Sequence, residues 1–302
     1  MKLGLILPLF SDDPDRVIAF ARKAEELGFD GVFAFDHLFP RGAPSDRASL
    51  EAFATLSGVA AATRRIEVGT LVVRVSLRPV GLLAKMVAST DDIGGGRMIL
   101  GIGTGDQMDE PEHETYGLPN LGKWERREHL VETVRGLKAV FRGEAWPGGR
   151  WVPAVAGPLL PRAITPGGPP VWIGGRADDM VRIAAREAEA WNGWGLSLPG
   201  FARKARLLRE TAAAAERAVE ATWAGIVVVG KDEEEAGAML NTRRERGLPE
   251  ADVWVGSVRS LLRWLGGLES SGASWAVLAP GGSPDRIDLI AERVLPHMRS
   301  RP

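Results

Sequence analysis

Short runs of Val, Ile and Leu alternate along the chain with amphipathic stretches of ten or more residues. This alternation predicts repeated strand, helix, strand units and a parallel sheet. Eight such runs are predicted as strands: Leu3–Leu9, Gly31–Phe35, Ile66–Val73, Arg97–Ile102, Val171–Ile173, Trp191–Leu196, Trp223–Val229 and Trp275–Leu278. Eight units in 302 residues predict an α/β fold, a (β/α)8 TIM barrel with insertions, and the alternative is a doubly wound open sheet.

Apolar residues at helical spacing predict a helix after each strand. In the first helix, Pro14 suits the opening turn and Gly28 suits the residue that ends it. The other predicted helices are Ser49–Thr63, one that opens at Pro79, Trp124–Phe141, Asp178–Glu187, Phe201–Glu216, Asp232–Arg246, Ser257–Ser271 and Asp285–Met298. Two stretches break the alternation, about 103–123 and 143–170, and we expect both to be insertions in one domain spanning residues 1–302.

The charge balance and the residue types exclude several functional classes. There are 38 Lys and Arg residues against 39 Asp and Glu residues, which argues against a nucleic acid or an anionic membrane as partner. The absence of Cys excludes disulfides and thiolate chemistry, and the His and acidic residues lack the spacing of a metal site. No apolar run approaches the roughly 18 residues of a membrane span. We therefore expect a soluble, cytoplasmic protein that acts on a small molecule.

An acid and an imidazole follow the second predicted strand. Active sites of TIM barrels lie at the C-terminal ends of the strands, where Asp36 and His37 fall. The pair can exchange hydrogen bonds with a polar ring, and His37 can transfer a proton near neutral pH. The alternative is structural, with Asp36 capping a turn and His37 packing beside Pro40.

Glycines are concentrated in the third and fourth predicted strands. Gly69 could mark a bulge where backbone approaches a flat ligand, although an ordinary buried strand also explains it. After the fourth strand, Gly101, Gly103 and Gly105 precede an acidic stretch that begins at Asp106. The acids argue against a dinucleotide fingerprint, because they would repel a pyrophosphate. Two interpretations are left open. In one, the backbone approaches a ring closely and Asp106 acts as an acid or base; in the other, the stretch is a solvated acidic loop.

The fifth predicted strand ends in a possible phosphate site. Gly174, Gly175 and Arg176 offer backbone N–H groups and a guanidinium immediately before a helix, which is what a phosphate needs. Against this, Asp178 and Asp179 could themselves cap the start of that helix.

The sixth predicted strand offers a place where a cofactor ring or tail could rest. Asn192, Gly193 and Trp194 lie at its C-terminal end. The alternative is that Trp194 fills the core, as Trp side chains commonly do.

Five stretches match a known family in order along essentially the whole chain. They are AEELGFDGVFAFDHL, AAATRRIEVGTLVV, RPVGLLAKMVASTDDIGGGRMILGIGTGD, ERREHLVETVRGLKAVF and PPVWIGG. Together they resemble the luciferase-like monooxygenase superfamily of flavin and deazaflavin enzymes. The resemblance implies a (β/α)8 barrel, often a homodimer, with the flavin across its C-terminal mouth. The Asp-His pair and the GTG segment resemble most the branch that uses coenzyme F420, so deazaflavin is expected and FMN is the alternative.

Roles are carried over by matching position. The resemblance implies that His37 and Asp106 are catalytic, and that Leu71 and Val72 form a non-prolyl cis peptide bond behind the ring. The dehydrogenases of this branch carry Glu in place of Asp106 and Asn in place of Asp109, so a sugar phosphate substrate is not implied. The candidate cofactor-binding residues are Asp36, His37, Leu71, Val72, Thr104, Gly105, Asp109, Gly174, Gly175, Arg176, Gly193 and Trp194.

The function expected from these features is hydride exchange between coenzyme F420 and a small organic substrate. In such an enzyme the cofactor carries the difficult chemistry, and the protein supplies orientation and electrostatics. Two alternatives remain: an FMN-dependent monooxygenase acting with a flavin reductase, and a flavin-binding protein without turnover.

Overall fold

The fold is a closed parallel barrel with one extra strand outside it. The computed structural model describes residues 1–40, 48–105, 110–248, 250–282 and 285–299. The strands in these ranges are β1 (Lys2–Ile6), β2 (Gly31–Ala34), β3 (Glu67–Arg74), β4 (Met98–Gly103), β5 (Val171–Gly174), β6 (Ala190–Trp194), β7 (Glu220–Gly230), β8 (Val253–Ser257) and β9 (Ala273–Pro280). Strands β1 to β7 pair in sequence order, β7 pairs with β9, and β9 returns to β1. The predicted eight-stranded barrel is confirmed.

The extra strand, β8, lies beside the barrel and was not predicted. It pairs with the second half of β7, from Ile226 opposite Val253 to Gly230 opposite Ser257, while the first half of β7 belongs to the barrel. The first three residues of β8 are only half-buried, and a helix follows the strand directly. Such a short apolar run beside a helix is easily mistaken for the approach to that helix, which is why the sequence pattern missed it.

Helices connect the strands on the outside of the barrel. They are α1 (Pro14–Leu27), α2 (Ala52–Ala62), α3 (Val80–Ile93), α4 (Glu110–Thr115), α5 (Lys123–Phe141), α6 (Asp178–Glu187), α7 (Leu198–Ala214), α8 (Glu233–Glu245), α9 (Val258–Ser270), α10 (Arg286–Arg293) and α11 (Leu295–Arg299). The short helix α4 was not predicted, and the last predicted helix is two helices that meet at Val294. Within the described ranges, no helix is both long and apolar enough to cross a membrane.

The start and end of α1 follow the chemistry that predicted them. The side chain of Asp13 accepts a hydrogen bond from the N–H of Arg16 at 3.1 Å, which satisfies a donor that the helix itself leaves unpaired. Pro14 occupies the first turn, and Gly28 ends the helix with a φ of 91°, a left-handed conformation that favours glycine.

Aromatic rings fill the barrel interior. Phe33 lies 5.4 Å from Trp172 and 5.7 Å from Trp275, measured between ring centroids. Glycines make room for them, because a Cβ at Gly31 or Gly69 would lie 2.9 or 2.8 Å from the Phe33 ring. Gly69 itself therefore has a packing role in a buried strand, and the register of β3 against β4 shifts directly after it, between Thr70 and Val73. A packed interior leaves the C-terminal mouth as the place for functional side chains.

Two carboxylates fasten the segment between α5 and β5 to the helices. Asp91 is fully buried in α3 and accepts hydrogen bonds from the N–H and the hydroxyl of Thr165 at 2.9 and 3.1 Å. Glu132 in α5 accepts hydrogen bonds from the backbone N–H groups of residues 150, 151 and 152 at 2.8 to 2.9 Å. These bonds hold an otherwise irregular segment against the barrel.

Candidate functional site

Asp36 lies at the C-terminal end of β2 and is buried. Its two carboxylate oxygens accept hydrogen bonds from Nη1 and Nη2 of Arg78 at 2.8 and 2.9 Å, and one of them also accepts from the backbone N–H of Arg74 at 3.1 Å. This two-pronged arrangement is the geometry in which Arg binds a carboxylate most specifically. Asp36 thus joins the end of β2 to the segment after β3. Its direct contact with a deazaflavin stays a prediction.

His37 follows Asp36 and is partly exposed at the mouth. Its Nδ1 lies 2.8 Å from Oε1 of Glu112, and its carbonyl oxygen accepts a hydrogen bond from the Ser49 hydroxyl at 2.7 Å. The imidazole lies beside two aromatic rings, with centroid distances of 5.8 Å to Phe35 and 6.4 Å to Phe10. His37 therefore lies at the strand end predicted for it. Its imidazole contacts the carboxylate of Glu112 through Nδ1 and lies beside the rings of Phe10 and Phe35.

Glu112 in α4 is the site residue that the sequence did not single out. It is buried, and its Oε2 accepts hydrogen bonds from the N–H of Leu38 at 2.6 Å and from Nη2 of Arg74 at 2.7 Å. Burial raises the pKa of Glu112, but the hydrogen bonds from His37 and from the Leu38 N–H, together with the charge of Arg74, outweigh it and hold the pKa below its usual value. The carboxylate is therefore ionised at neutral pH.

No sequence signal distinguished Glu112 from its acidic neighbours. It lies in the run of acids after the fourth strand, and its partner His37 is 75 residues away in the chain. Only the docking of α4 onto the loop after β2 brings the two together. A second contact of the same docking is the stacked pair of Phe39 and Tyr116, with centroids 6.4 Å apart.

The floor of the mouth is formed around Val72. The peptide bond between Leu71 and Val72 is cis, as the family resemblance implied, and the pairing of β3 with β4 shifts register there. Gly103 and Gly174 make room for the Val72 side chain, because a Cβ at these positions would lie 2.8 and 2.9 Å from its methyl groups. The half-buried floor residues that cover the inner aromatic rings are Phe35, Val72, Trp194 and Ala279.

The residues after β4 are only partly described. The Thr104 hydroxyl donates a hydrogen bond to the carbonyl of Gly105 at 2.9 Å, and Gly105 has a φ of +67°, which suits glycine. Two of the predicted site residues, Asp106 and Asp109, lie outside the described residues. Gly101 has a packing role, because a Cβ there would lie 2.1 Å from the carbonyl oxygen of Thr70.

The predicted phosphate site lies at the start of α6. Gly174 and Gly175 precede this helix, and its N-cap residue is Ala177, which supplies no side-chain hydrogen bond. Arg176 forms an exposed ion pair with Asp252. The helix start and the Arg176 guanidinium are features of an anion site, although the N–H of Gly175 donates a hydrogen bond to the carbonyl oxygen of Asn192 at 3.1 Å.

Asp178 and Asp179 both pair with cations from neighbouring helices. Hydrogen bonds from Arg203 and Lys204 hold the pKa of Asp178 far below its usual value, and Asp179 forms an ion pair with Arg127. Oδ1 of Asp179 also accepts a hydrogen bond from the backbone N–H of Met180 at 2.9 Å, so the expectation that these acids satisfy the helix start holds for Asp179. Cations from α5 and α7 bind both of them.

The residues predicted as a cofactor site at the end of β6 have different roles in the structure. Trp194 is half-buried and belongs to the floor of the mouth. Gly193 makes room for core side chains, since a Cβ there would lie 2.6 Å from Leu196 and 2.8 Å from the Trp191 ring. Asn192 donates a hydrogen bond to the buried hydroxyl of Thr222 at 2.9 Å, which is a structural role.

The mouth thus combines three features: an imidazole bonded to an ionised acid, an apolar floor, and an anion site at a helix start. This set can accept a flat ring with a phosphate-bearing tail and can move a proton beside it. In the part of the chain that the structure describes, no group of three His, Asp or Glu side chains is arranged to hold a metal ion.

Comparison with known proteins decides the family. The family model for luciferase-like monooxygenases matches residues 1–272. The chain belongs to the luciferase-like monooxygenase family. This confirms the resemblance found in the sequence and agrees with the barrel and its cis peptide bond.

Among curated relatives within this family, an F420-dependent glucose-6-phosphate dehydrogenase from Beutenbergia cavernae is 32% identical over 145 residues, which are 48% of this chain and 42% of the relative. One from Microbacterium testaceum is 30% identical over 180 residues, 59% of this chain and 52% of the relative. The chain therefore spans about half the length of the curated relatives it matches.

Among solved structures, an F420-dependent secondary alcohol dehydrogenase in complex with an F420-acetone adduct superposes with a TM-score of 0.84. The superposition covers 99% of each chain at 16% sequence identity. At this identity the likeness shows that the luciferase-like fold is shared over the full length.

Proposed function

We propose that the protein is an oxidoreductase that exchanges hydride between coenzyme F420 and a small, uncharged alcohol or carbonyl compound. The observation that carries the proposal is His37, held by an ionised Glu112 at 2.8 Å beside the apolar floor of the barrel mouth. Two relatives that are F420-dependent dehydrogenases, and the fold shared with an F420-dependent alcohol dehydrogenase, support the choice of cofactor.

The residues at the mouth fit a deazaflavin. Val72 presents a flat apolar surface, because glycines on the two following barrel strands let its side chain lie low between them. The start of α6, directly after Gly175, together with the Arg176 guanidinium, would hold the phosphate of the tail at the opposite side of the mouth. When bound, coenzyme F420 supplies the carbon that accepts or donates the hydride.

The chain's own contribution is to orient the substrate and to move a proton. Because Nδ1 of His37 is bonded to Glu112, Nε2 is the nitrogen that would take the proton of a substrate hydroxyl during oxidation. The carboxylate of Glu112 stabilises the imidazolium that forms, and in the reverse direction Nε2 returns the proton to the carbonyl oxygen. Phe10 and Phe35 lie beside the imidazole, with ring centroids 6.4 and 5.8 Å away, and give this side of the mouth an apolar surface.

The charges around His37 favour an uncharged substrate. Among the residues that the structure describes, Arg74 and Arg78 are the cations paired with the acids next to His37, Arg74 with Glu112 and Arg78 with Asp36. A substrate phosphate at this position would have to replace a buried carboxylate, which costs several kcal/mol. We therefore propose alcohols and carbonyl compounds ahead of sugar phosphates. A homodimer and a cytoplasmic location stay predictions.

Titration of the apoprotein with coenzyme F420 and, separately, with FMN tests the cofactor choice. We expect micromolar or tighter binding of coenzyme F420, with a rise in melting temperature, because a ligand that binds the folded state stabilises it by mass action. FMN should bind negligibly. The reverse preference would favour the FMN monooxygenase alternative, and binding without oxidation of isopropanol, cyclohexanol or glucose 6-phosphate would favour a non-catalytic flavin-binding protein.

Gly103→Ala tests the floor of the proposed ring site. The new Cβ would lie 2.8 Å from a Val72 methyl group, and Val72 has few rotamers with which to avoid it. Overpacking of this kind costs about 1–3 kcal/mol, so we expect the dissociation constant for coenzyme F420 to rise by roughly tenfold or more. The measurement is a fluorescence titration.

The matched control is Gly237→Ala in α8, where a Cβ would meet no atom within 4 Å. This variant should bind coenzyme F420 like the wild type. Equal affinity of the Gly103→Ala protein and the wild type would show that the ring does not rest on Val72.

A further inference from the structure

We propose that Glu112 is a positioning residue that fixes the tautomer of His37, so that Nδ1 carries the hydrogen and Nε2 faces the chemistry. The inference rests on the proposed function for its catalytic meaning, but the tautomer itself can be measured without any cofactor. The residue lies on a six-residue helix, α4, outside the barrel strands on which the site was sought.

The two oxygens of Glu112 have separate partners. Oε1 lies 2.8 Å from Nδ1 of His37, while Oε2 accepts from the N–H of Leu38 at 2.6 Å and from Nη2 of Arg74 at 2.7 Å. The two bonds to Oε2 fix the plane of the carboxylate. Oε1 is therefore held at one position beside the imidazole.

An ionised carboxylate can only accept hydrogen bonds. The nitrogen bonded to it must be the one that carries hydrogen, so the bond from His37 to Glu112 selects the Nδ1–H form and leaves Nε2 as the basic nitrogen. A carboxylate behind the ring also stabilises the imidazolium by its charge. Both effects act on His37 and not on the substrate, which makes Glu112 a positioning residue.

The other charges near His37 are compensated differently. Asp36, its neighbour in the chain, has both oxygens bonded to Arg78, and Arg78 in turn bonds Glu51. Arg74 bonds Glu112 and the carbonyl of Asp36. The rings of Phe10 and Phe35 on the other side of the imidazole carry no charge. Among the described residues, Glu112 is the carboxylate bonded to Nδ1 of the ring.

Glu112 makes one contact between the α4 region and the segment after β2. Another is the stacking of Tyr116, one residue beyond α4, on Phe39. A Gln at position 112 keeps the size of the side chain and an acceptor for the N–H of Leu38. Glu112→Gln is therefore expected to leave α4 docked while it removes the charge.

Nitrogen-15 NMR of the histidine side chains tests the tautomer directly. The chain has four His residues, so a His37→Gln spectrum identifies the His37 signal by its loss. In the wild type, neutral His37 should carry its hydrogen on Nδ1. In Glu112→Gln the Nδ1–H form should lose its dominance, while the control Glu114→Gln, an exposed acid on the same helix, should match the wild type.

Kinetics of isopropanol and cyclohexanol oxidation with coenzyme F420 test the catalytic consequence. We expect Glu112→Gln to lower kcat by roughly 10- to 100-fold, to keep the dissociation constant of coenzyme F420 within about threefold, and to move the acidic limb of the pH profile to lower pH. A merely structural role would not move that limb.

Two outcomes would overturn the inference. One is a wild-type His37 with its hydrogen on Nε2, which can be seen even if Glu112→Gln does not fold. The other is an unchanged kcat and pH profile in Glu112→Gln beside an inactive His37→Gln. A wild type that neither binds coenzyme F420 nor oxidises the alcohols contradicts the proposed function instead, and leaves the tautomer result to stand separately.

Discussion

Replacing His37 with Gln is expected to lower kcat for alcohol oxidation with coenzyme F420 by roughly 10²- to 10⁴-fold, the usual contribution of a general acid or base. Gln keeps the size of the side chain and can still donate a hydrogen bond to Glu112, but it cannot take a proton from a hydroxyl. The dissociation constant of coenzyme F420 should stay within about threefold of the wild-type value, because the floor at Val72 and the helix start at Gly175 are untouched.

Steady-state kinetics and a fluorescence titration on the same protein preparation give both quantities. The matched control is His297→Gln on the exposed face of α11, which should keep wild-type kcat. A His37→Gln protein that oxidises alcohols at the wild-type rate would remove the proton-transfer role and, with it, the main observation behind the proposed function. Loss of cofactor binding together with activity would point to a binding role instead.

His37 could be found from the sequence because its position depends on local information. A run of apolar residues predicts a strand, and a polar residue directly after that strand lies at the mouth of a barrel. The same reasoning located Gly174 and Trp194, while Val72 was implied by the family resemblance, and the structure places all three at the mouth.

The parts of the site that the sequence could not supply depend on contacts between distant segments. Glu112 reaches His37 only because α4 docks on the loop after β2, and no periodicity encodes that docking. The sequence left open that Gly103 lets backbone approach a ring, and in the structure it makes room for Val72 on the neighbouring strand. Whether a glycine faces a ligand or a side chain depends on the register between strands, which a single sequence does not contain.

The pairing of charged side chains also depends on contacts between segments that are distant in the sequence. Asp178 and Asp179 begin a helix, and the sequence left open that they satisfy its first N–H groups. In the structure their carboxylates pair with Arg203, Lys204 and Arg127 from neighbouring helices, and Asp179 in addition accepts from the N–H of Met180. Packing between helices determines the cationic partners of Asp178 and Asp179, and helix propensities carry no information about that packing.

Arg78→Met is expected to destabilise the fold by about 3–5 kcal/mol, the usual cost of leaving one member of a buried ion pair without its partner. Arg78 and Asp36 have side-chain exposures of 9% and 2%, and the guanidinium binds both oxygens of the carboxylate. Without the guanidinium, the carboxylate of Asp36 keeps the hydrogen bond from the backbone N–H of Arg74. The substitution also removes the contact of the Arg78 guanidinium with the Phe53 ring, whose centroid lies 5.2 Å from the guanidinium carbon.

The double variant Asp36→Asn with Arg78→Met distinguishes the contribution of the ion pair to stability from the cost of leaving one buried charge unpaired. Removing both charges should recover most of the lost stability, because a neutral pair no longer leaves a carboxylate unpaired in the interior. Urea unfolding of the wild type, both single variants and the double variant gives the coupling free energy. The control Arg142→Met breaks the exposed pair with Glu144 and should change stability by less than about 1 kcal/mol.

The outcome of this cycle also bears on the site. Asp36 precedes His37 in the chain and fixes the loop from which the imidazole extends, so a buried charge without its partner should disturb both stability and kcat. Additive single effects would show that the two side chains act independently, and the loop would then owe its position to Ser49 and Glu112. A large coupling, with kcat recovering in the double variant, would show that Arg78 holds Asp36, and through it His37, in the geometry needed for proton transfer.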